Sequence, residues 1–268
     1  MAVGDLYISA TNRFFVSPSE TDILSRTWSQ VNAPTRSGVR AMAVARDGTL
    51  HIARGTTQSP QIGKLVNNAW VNSSPGRTGL IYGLGIDANG LIYVGVITQI
   101  YTIAENSPII SPGLPNDPLT NSRISLQGMS VNQDNGTIAV VSLRNIFELA
   151  KGATAWVETV IPSTILNTFA RSIQSCTYDH LGGLWIYETI GGRYYHRSHT
   201  TEQWTSAFQI PTTINSVSID RSSIQSSAFD QGRGAVNLIK LGAADINDIK
   251  LGTADVAAIY KGERKVWG

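Results

Sequence analysis

Residues 39–53, VRAMAVARDGTLHIA, decide the fold. Apolar side chains occupy alternate positions on both sides of the dipeptide Asp47-Gly48. Alternation with period two is typical of a strand with one buried face, and an Asp-Gly pair between two such runs favours a tight hairpin turn. The stretch therefore predicts two antiparallel strands joined by a turn.

The chain repeats this hairpin four more times, at 81–95, 124–141, 171–188 and 223–238. The predicted turn glycines are separated by 42, 46, 47 and 51 residues; they are Gly48, Gly90, Gly136, Gly183 and Gly234. A strand-rich repeat of roughly 40 to 50 residues is typical of a β-propeller, in which each repeat forms one blade. We therefore expect an all-β propeller.

The chain ends predict how the ring closes. Residues 4–9 match only the second half of the hairpin, and residues 224–230 supply one further inner strand. If the last strand completes the first blade, the ring has no open sheet edge between the chain ends. We predict five blades over residues 1–238; six is the alternative, with 235–241 as a second strand of the last repeat.

Four predicted outer strands carry a tryptophan, and the third repeat has none. A stripe of indoles has two interpretations, a platform for sugar rings or packing between neighbouring blades, and we favour packing. The residues are Trp28, Trp70, Trp156 and Trp204.

Composition excludes several classes. A net charge of +2 is too small to favour nucleic acid, and a single cysteine, Cys176, rules out an internal disulfide and is expected to be buried. No apolar run reaches the roughly 18 residues of a membrane helix. The start, MAVGDLYISA, lacks the charged segment of a signal peptide, so we expect synthesis in a cytoplasm.

Residues 239–268 follow a different pattern, with three ten-residue units: IKLGAADIND, IKLGTADVAA and IYKGERKVWG. Each unit has an apolar first residue, glycine at the fourth position and an apolar eighth residue. This predicts short strands and turns, too small to bury a core alone. We expect a separate attachment segment that docks on the propeller, on another copy or on a partner.

This segment resembles the C-terminal decapeptide repeats of tailed-bacteriophage structural proteins, of the type I-x-L-G-x-x-x-I/V with a closing K-V-W. The resemblance implies a virion protein of a tail, fibre or capsid, made in the host cytoplasm, with other virion proteins as partners. A homo-oligomer is a further expectation. The matching residues are Ile239, Leu241, Gly242, Ile249, Leu251, Gly252, Ile259 and Trp267.

The sequence offers no catalytic set. Glycosidases need two carboxylates about 5 to 10 Å apart, yet the predicted inner strands contain no Asp or Glu. Aspartates stand instead at the turn ends, where turn chemistry alone favours them, and Glu188 has no evident acidic neighbour. We expect no enzyme activity, no metal and no cofactor. The turn aspartates are Asp47, Asp87, Asp134, Asp179 and Asp230; the four histidines, predicted at turns or on the surface, are His51, His180, His196 and His199.

One repeated charge predicts a ligand site. An arginine precedes each turn glycine by 12 or 13 residues, which places one guanidinium per blade at the entry to the inner strand. A ring of five would favour an anionic ligand such as an acidic surface glycan, since arginine forks match carboxylate and phosphate. The alternative is that each arginine bonds loop carbonyls and ties blade to blade. The residues are Arg36, Arg77, Arg123, Arg171 and Arg221.

These patterns together predict a non-enzymatic virion protein of the tail or fibre apparatus that binds a host-surface glycan. The alternatives are a capsid decoration or connector protein, a glycan depolymerase, and a bacterial lectin. Five strand tyrosines are candidate aromatic contacts for a ligand, with packing as the other interpretation: Tyr82, Tyr101, Tyr187, Tyr194 and Tyr195.

Overall fold

A computed structural model describes residues 4–10, 13–18, 28–31, 39–67, 69–103, 110–166, 172–214, 217–218, 221, 224–231, 250–251, 254–255, 259–261 and 264–267. These residues form antiparallel strands and turns. Within these ranges no helix is long and apolar enough to cross a membrane. The chain divides into two units, 1–235 and 236–268.

The first unit is a five-bladed β-propeller, as the repeat spacing predicts. Blade I contains β1 (Leu6–Ala10), β2 (Arg13–Ser17) and β3 (Ser29–Val31); blade II contains β4 (Ala41–Val44), β5 (Leu50–Gly55), β6 (Pro60–Val66) and β7 (Ala69–Ser73); blade III contains β8 (Ile81–Ile86), β9 (Ile92–Val96) and β10 (Gln99–Ile103); blade IV contains β11 (Gly128–Val131), β12 (Ile138–Val141), β13 (Ile146–Leu149) and β14 (Val157–Glu158); blade V contains β15 (Ile173–Tyr178), β16 (Leu184–Glu188), β17 (Arg193–Arg197) and β18 (Trp204–Gln209).

The last strand of the unit closes the ring, as predicted. A short hairpin of β19 (Thr213–Ile214) and β20 (Val217–Ser218) precedes β21 (Ile224–Phe229). Strand β21 pairs antiparallel with β1 and becomes the inner strand of blade I, in the order β21-β1-β2-β3. Closure therefore joins the two ends of this unit through main-chain hydrogen bonds.

The closing blade rebuilds the hairpin turn from two separate pieces of chain. Gly4 N–H donates to the carbonyl of Asp230 at 2.8 Å, as Gly48 N–H does to Ala45 at 2.8 Å inside the continuous turn of blade II. Gly4 has φ of 87°, the left-handed conformation that glycine adopts without steric cost. Gly4 thus fills the role predicted for Gly234, which lies outside the described residues.

The turn of blade V differs by one residue from the prediction. Gly182, with φ of 80°, has the left-handed conformation, and Gly183 already pairs with Asp179 at the start of β16. The predicted turn glycine of this blade, Gly183, is therefore wrong. Two adjacent glycines leave the register of a turn open, because sequence alone does not say which one carries the positive φ.

Blades III and IV depart most from the predicted strand limits. The inner strand of blade IV begins at Gly128 rather than at residue 124, because Ile124 and Leu126 donate to Pro115 and Ile97 instead of a neighbour within the blade. Blade III has three strands among the described residues. Residues 104–109 lie outside the described part, and Ile110 N–H donates to Ile100 on β10.

The core is divided into five clusters, one between each pair of adjacent blades. Four of these interfaces receive the tryptophan of the following blade, which confirms the packing interpretation. Trp70 stacks on Phe14 of blade I at 6.0 Å, and Trp28 lies 6.2 Å from Phe208 of blade V. Trp204 is buried between blades IV and V, and Trp156 donates its indole N–H to Gly113 at 2.9 Å.

The interface between blades II and III is the exception. Blade III has no tryptophan to contribute, and blade II presents the small side chains Ala41, Ala43 and Ala53. Tyr101 is the one aromatic residue in this cluster, whereas the interface between blades V and I contains six buried aromatic side chains. This interface therefore contains fewer buried aromatic side chains than the one between blades V and I.

The second unit contains two short hairpins. In the first, β22 (Lys250–Leu251) pairs with β23 (Ala254–Asp255); in the second, β24 (Ile259–Lys261) pairs with β25 (Arg264–Trp267). The second and third decapeptides thus each form one hairpin; the first decapeptide lies outside the described residues.

The closing strand predicts a stability effect. Phe229 is 2% exposed, and its ring centroid lies 5.2 Å from that of Trp185. We expect Phe229→Ala to lower the free energy of unfolding by about 3–5 kcal/mol, because it empties the interface that closes the ring. Denaturant unfolding measures this. Leu181→Ala, at a side chain 69% exposed in a turn, is the control and should change stability by less than about 0.5 kcal/mol. A change of similar size for both variants would contradict ring closure through β21.

Candidate functional site

The central channel is filled at the end where the inner strands lead into their hairpin turns. Side chains of the inner strands, among them Met42, Leu84 and Phe229, leave a cavity of only ≈ 10 Å³. At the same end, two glutamines connect three blades. Gln133 Nε2 donates to the carbonyl of Val44 at 2.7 Å, and Gln231 Nε2 donates to the carbonyl of Val131 at 2.9 Å. This end of the channel has room for about one water molecule and none for a sugar.

Three of the five predicted turn aspartates accept turn N–H groups. Asp87 Oδ1 accepts the N–H groups of Asn89 and Leu91, both at 2.9 Å, and Asp179 Oδ1 accepts those of Leu181 and Gly183. Asp47 accepts from Thr49 at 2.8 Å. In blade IV the acceptor is Asn132 rather than Asp134, whose own N–H donates to it.

Glu188 has the same kind of role at the other end of blade V. Its carboxylate is buried and accepts the N–H groups of Ile190 at 2.6 Å and Gly191 at 2.7 Å. Both carboxylate oxygens are therefore held by turn N–H groups. Among the described residues, no three His, Cys, Asp or Glu side chains are grouped to bind a metal ion.

A partly buried ion pair joins blades IV and V. Glu148 on β13 receives Arg197 of β17, with Nη1–Oε2 at 2.6 Å and Nη2–Oε1 at 2.8 Å, and also accepts from Tyr178 and Thr159. Burial opposes ionisation of Glu148, but these hydrogen bonds offset it and hold the pKa of the carboxyl below its usual range. With every partner engaged, this cluster is a structural connection between blades.

Blade V also holds a contact between a partly buried histidine and a buried aspartate. His196 Nε2 lies 3.3 Å from Asp179 Oδ2, which accepts the indole N–H of Trp185 at 2.7 Å. The imidazole stacks on the indole at 4.4 Å. Burial raises the pKa of Asp179, and the donors around the carboxylate reverse the effect, so that its pKa lies below the usual range. Cys176, buried nearby as predicted, has its pKa raised by burial.

The three described members of the predicted arginine set have different surroundings. Arg77 places its guanidinium 5.1 Å from the ring centroid of Tyr101. Arg221 Nε donates to the carbonyl of Ile210 at 2.5 Å, the blade-tying contact that was the alternative interpretation. Arg123 is exposed in the long connection before β11. Arg36 and Arg171 lie outside the described residues. The arrangement of five arginines around the channel mouth therefore stays a prediction.

The candidate aromatic contacts are mostly core residues. Tyr187 and Tyr194 are fully buried between blades V and I, and Tyr195 is buried between blades IV and V. Their burial supports the packing interpretation, and the proposed ligand contacts are wrong for these three. Tyr101 is 1% exposed, and its hydroxyl has no hydrogen-bond partner among the described residues.

Two cavities lie along the edge of blade II. The first, called the Arg77 groove, has a volume of ≈ 550 Å³ and is lined mainly by residues with polar side chains. Amide, hydroxyl and guanidinium groups of this kind offer many donors and acceptors to a hydroxylated or anionic ligand. The groove is lined by Gln58, Ser59, Pro60, Gln61, Asn72, Ser73, Ser74, Gly76, Arg77 and Thr78.

The second cavity, called the His51 pocket, opens between blades II and III and has a volume of ≈ 360 Å³. His51 is 8% exposed, and its Nδ1 has no hydrogen-bond partner in the described structure. Burial, followed by the charge of Lys64, lowers the pKa of His51 to about 4, so the imidazole is neutral at neutral pH. The pocket is lined by Ala45, Asp47, His51, Ile62, Lys64, Ser73, Ile86, Gly90 and Ile92.

The sequence interpretation missed the His51 pocket and treated its histidine as a turn or surface residue, which is wrong. Strand alternation contains the missing signal. His51 and Lys64 form a cross-strand pair and share the parity of Ala53 and Ile62, which face blade III. The third repeat is also the one without a tryptophan. These two observations together would have indicated an underfilled interface with polar side chains in it.

Comparisons with known proteins identify the fold. No protein-family model and no curated protein matches the chain. A chain of a nidogen/laminin complex is similar in structure, with a TM-score of 0.53 at 11% identity over 85% of this chain and 99% of that chain. A catalytically inactive virginiamycin B lyase from Staphylococcus aureus, solved with quinupristin, gives 0.45 at 16% identity over 78% and 71%. At 11% identity, the likeness to the nidogen/laminin chain shows a shared fold alone.

The lowered pKa of His51 predicts a pH-dependent stability. In the unfolded chain His51 titrates near 6.5, so between that pH and about 4 the unfolded state binds more protons and stability falls as the pH falls. Relative to His51→Asn, which does not titrate, the native protein should lose about 2 kcal/mol more between about pH 7 and about pH 5.

Urea unfolding of both proteins at the two pH values measures this difference. Subtraction removes the contribution of the other titrating groups, including Asp47, whose charge favours protonation of His51, and Lys64, whose charge opposes it. Equal losses for the two proteins would show that His51 is not held neutral in the fold.

Proposed function

We propose that this chain is a non-enzymatic bacteriophage virion protein of the tail or fibre apparatus whose propeller binds an acidic host-surface glycan. The Arg77 groove is the observation that carries the binding part of the proposal. A cationic guanidinium beside amide and hydroxyl groups suits a sugar that bears a carboxylate or phosphate. The rigid propeller presents this groove at the turns of blade II, where recognition residues are commonly placed.

The C-terminal segment supports the virion part of the proposal. Its decapeptides resemble those of tailed-phage structural proteins, and the second and third each form a two-stranded hairpin. Such short hairpins bury little surface alone and gain stability by adding to another protein. We assign Ile239–Gly268 the role of joining the propeller to other virion proteins, or to further copies of the chain.

A capsid decoration or connector protein is the second candidate, because the same decapeptides would serve it equally. Antibody labelling of intact particles in the electron microscope separates the two. Label at the tail end supports the proposal, and label over the head favours decoration. Release of reducing sugar from a bound polysaccharide would favour the depolymerase alternative instead.

The groove proposal predicts an arginine-specific loss of binding. On a panel of acidic bacterial oligosaccharides, Arg77→Gln should weaken binding by about tenfold or more, since it removes a charged hydrogen-bond donor. Arg123→Gln makes the same chemical change at an exposed site outside the groove and should leave affinity unchanged. Biolayer interferometry measures both. Equal losses would favour the ring of arginines, and binding that survives Arg77→Gln would contradict the groove.

A further inference from the structure

We propose that the His51 pocket is a second sugar subsite, which takes a neutral hexose next to the acidic sugar held in the Arg77 groove. This inference rests on the proposed glycan binding and specifies its ligand. The polymer would then alternate, or at least juxtapose, an acidic and a neutral residue. The argument depends on the position, the lining and the charge of the pocket.

The two cavities adjoin. Ser73, the last residue of β7, lines both of them, and its hydroxyl donates to Ile62, another residue of the pocket lining, at 3.4 Å. In the proposed binding mode, the ligand extends from the groove past Ser73 into the pocket. Two neighbouring sugars of one chain, joined by a single glycosidic linkage, would then occupy the groove and the pocket.

The lining suits a pyranose ring. Ile62, Ile86 and Ile92 form an apolar wall, and His51, Lys64 and Asp47 supply polar groups. A hexose has the same division, with an apolar C–H face and hydroxyl groups at its rim. A volume of ≈ 360 Å³ lies within the usual range for small-molecule sites. At Gly90, another residue of the lining, an added Cβ would meet nothing within 4 Å.

The imidazole of His51 supplies the hydrogen-bonding atom on which the proposal depends. A buried polar atom without a hydrogen bond is costly, and Nδ1 of His51 is such an atom. A neutral imidazole donates through one nitrogen and accepts through the other, which matches a hydroxyl group, itself both donor and acceptor. Tyr101, in the same interface, also has an unpartnered hydroxyl among the described residues.

The charge of the pocket selects a neutral sugar. Lys64 and Asp47 have opposite charges and His51 is neutral, so the three side chains sum to zero at neutral pH. Arg77, by contrast, brings a positive charge to the groove. The two cavities therefore differ in charge preference, and the order of sugars along the ligand is fixed by the order of the cavities.

Calorimetric titration of three probes into the full-length protein tests the inference. The probes are glucuronic acid, a tetrasaccharide of alternating glucuronic acid and N-acetylglucosamine, and cellotetraose. We expect the alternating tetrasaccharide to bind more tightly than either other probe. His51→Asn should weaken the tetrasaccharide by about three- to tenfold, the value of one hydrogen bond, and leave glucuronic acid unchanged. His199→Asn, the same change at an exposed residue, should alter neither.

Arg77→Gln separates this inference from the proposed function. Arg77→Gln should weaken the binding of both the tetrasaccharide and glucuronic acid. If Arg77→Gln weakens the tetrasaccharide while His51→Asn has no effect, the second subsite is wrong and the groove stands. If the native protein binds none of the three probes, the glycan proposal is contradicted and the subsite with it. Lys64→Met, at an exposed position of the pocket, repeats the test if His51→Asn fails to fold.

Discussion

The packing of a bulky aromatic side chain between neighbouring blades is the constraint on which this structure depends. Blades radiate from a common axis, so the gap between two sheets widens toward their outer strands. Trp70, Trp28, Trp204 and Trp156 each fill that gap against the preceding blade. Burial of such large side chains contributes much of the interface energy. Where the tryptophan is missing, between blades II and III, the two sheets retain space between them.

This single break in the repeat links the fold to the candidate site. Blade II lines this interface with alanines and with His51 and Lys64. Opposite them, on blade III, lies Tyr101, whose hydroxyl has no hydrogen-bond partner among the described residues. A repeat protein gains a specific site where one unit departs from the others, because symmetry elsewhere fills every equivalent position with core residues. The central channel, by contrast, is filled by inner-strand side chains and by Gln133 and Gln231.

Much of the fold could be predicted from the sequence because its signals are local. Alternation and turn glycines placed the starts of β8 and β21 at their observed first residues, and the missing half-hairpin at the N-terminus predicted closure. The errors arose where local chemistry is degenerate. A sequence pattern does not distinguish Gly182 from Gly183 as the residue with positive φ. In blade IV, Asn132 replaces aspartate as the turn acceptor. The early residues of the predicted fourth inner strand bond to a loop, which no periodicity reveals.

The candidate site was harder to predict because a cavity forms where no side chain fills the space between two blades. Arg77 was identified from its spacing, yet its surroundings, the groove beside β7 and the ring of Tyr101, depend on how blades II and III meet. His51 was missed for the same reason. Hydrogen–deuterium exchange with and without a bound acidic oligosaccharide tests the central claim most directly. The account predicts new protection in residues 47–51 and 58–78. Protection around Arg123 and Arg221, with the edge of blade II unchanged, would contradict it.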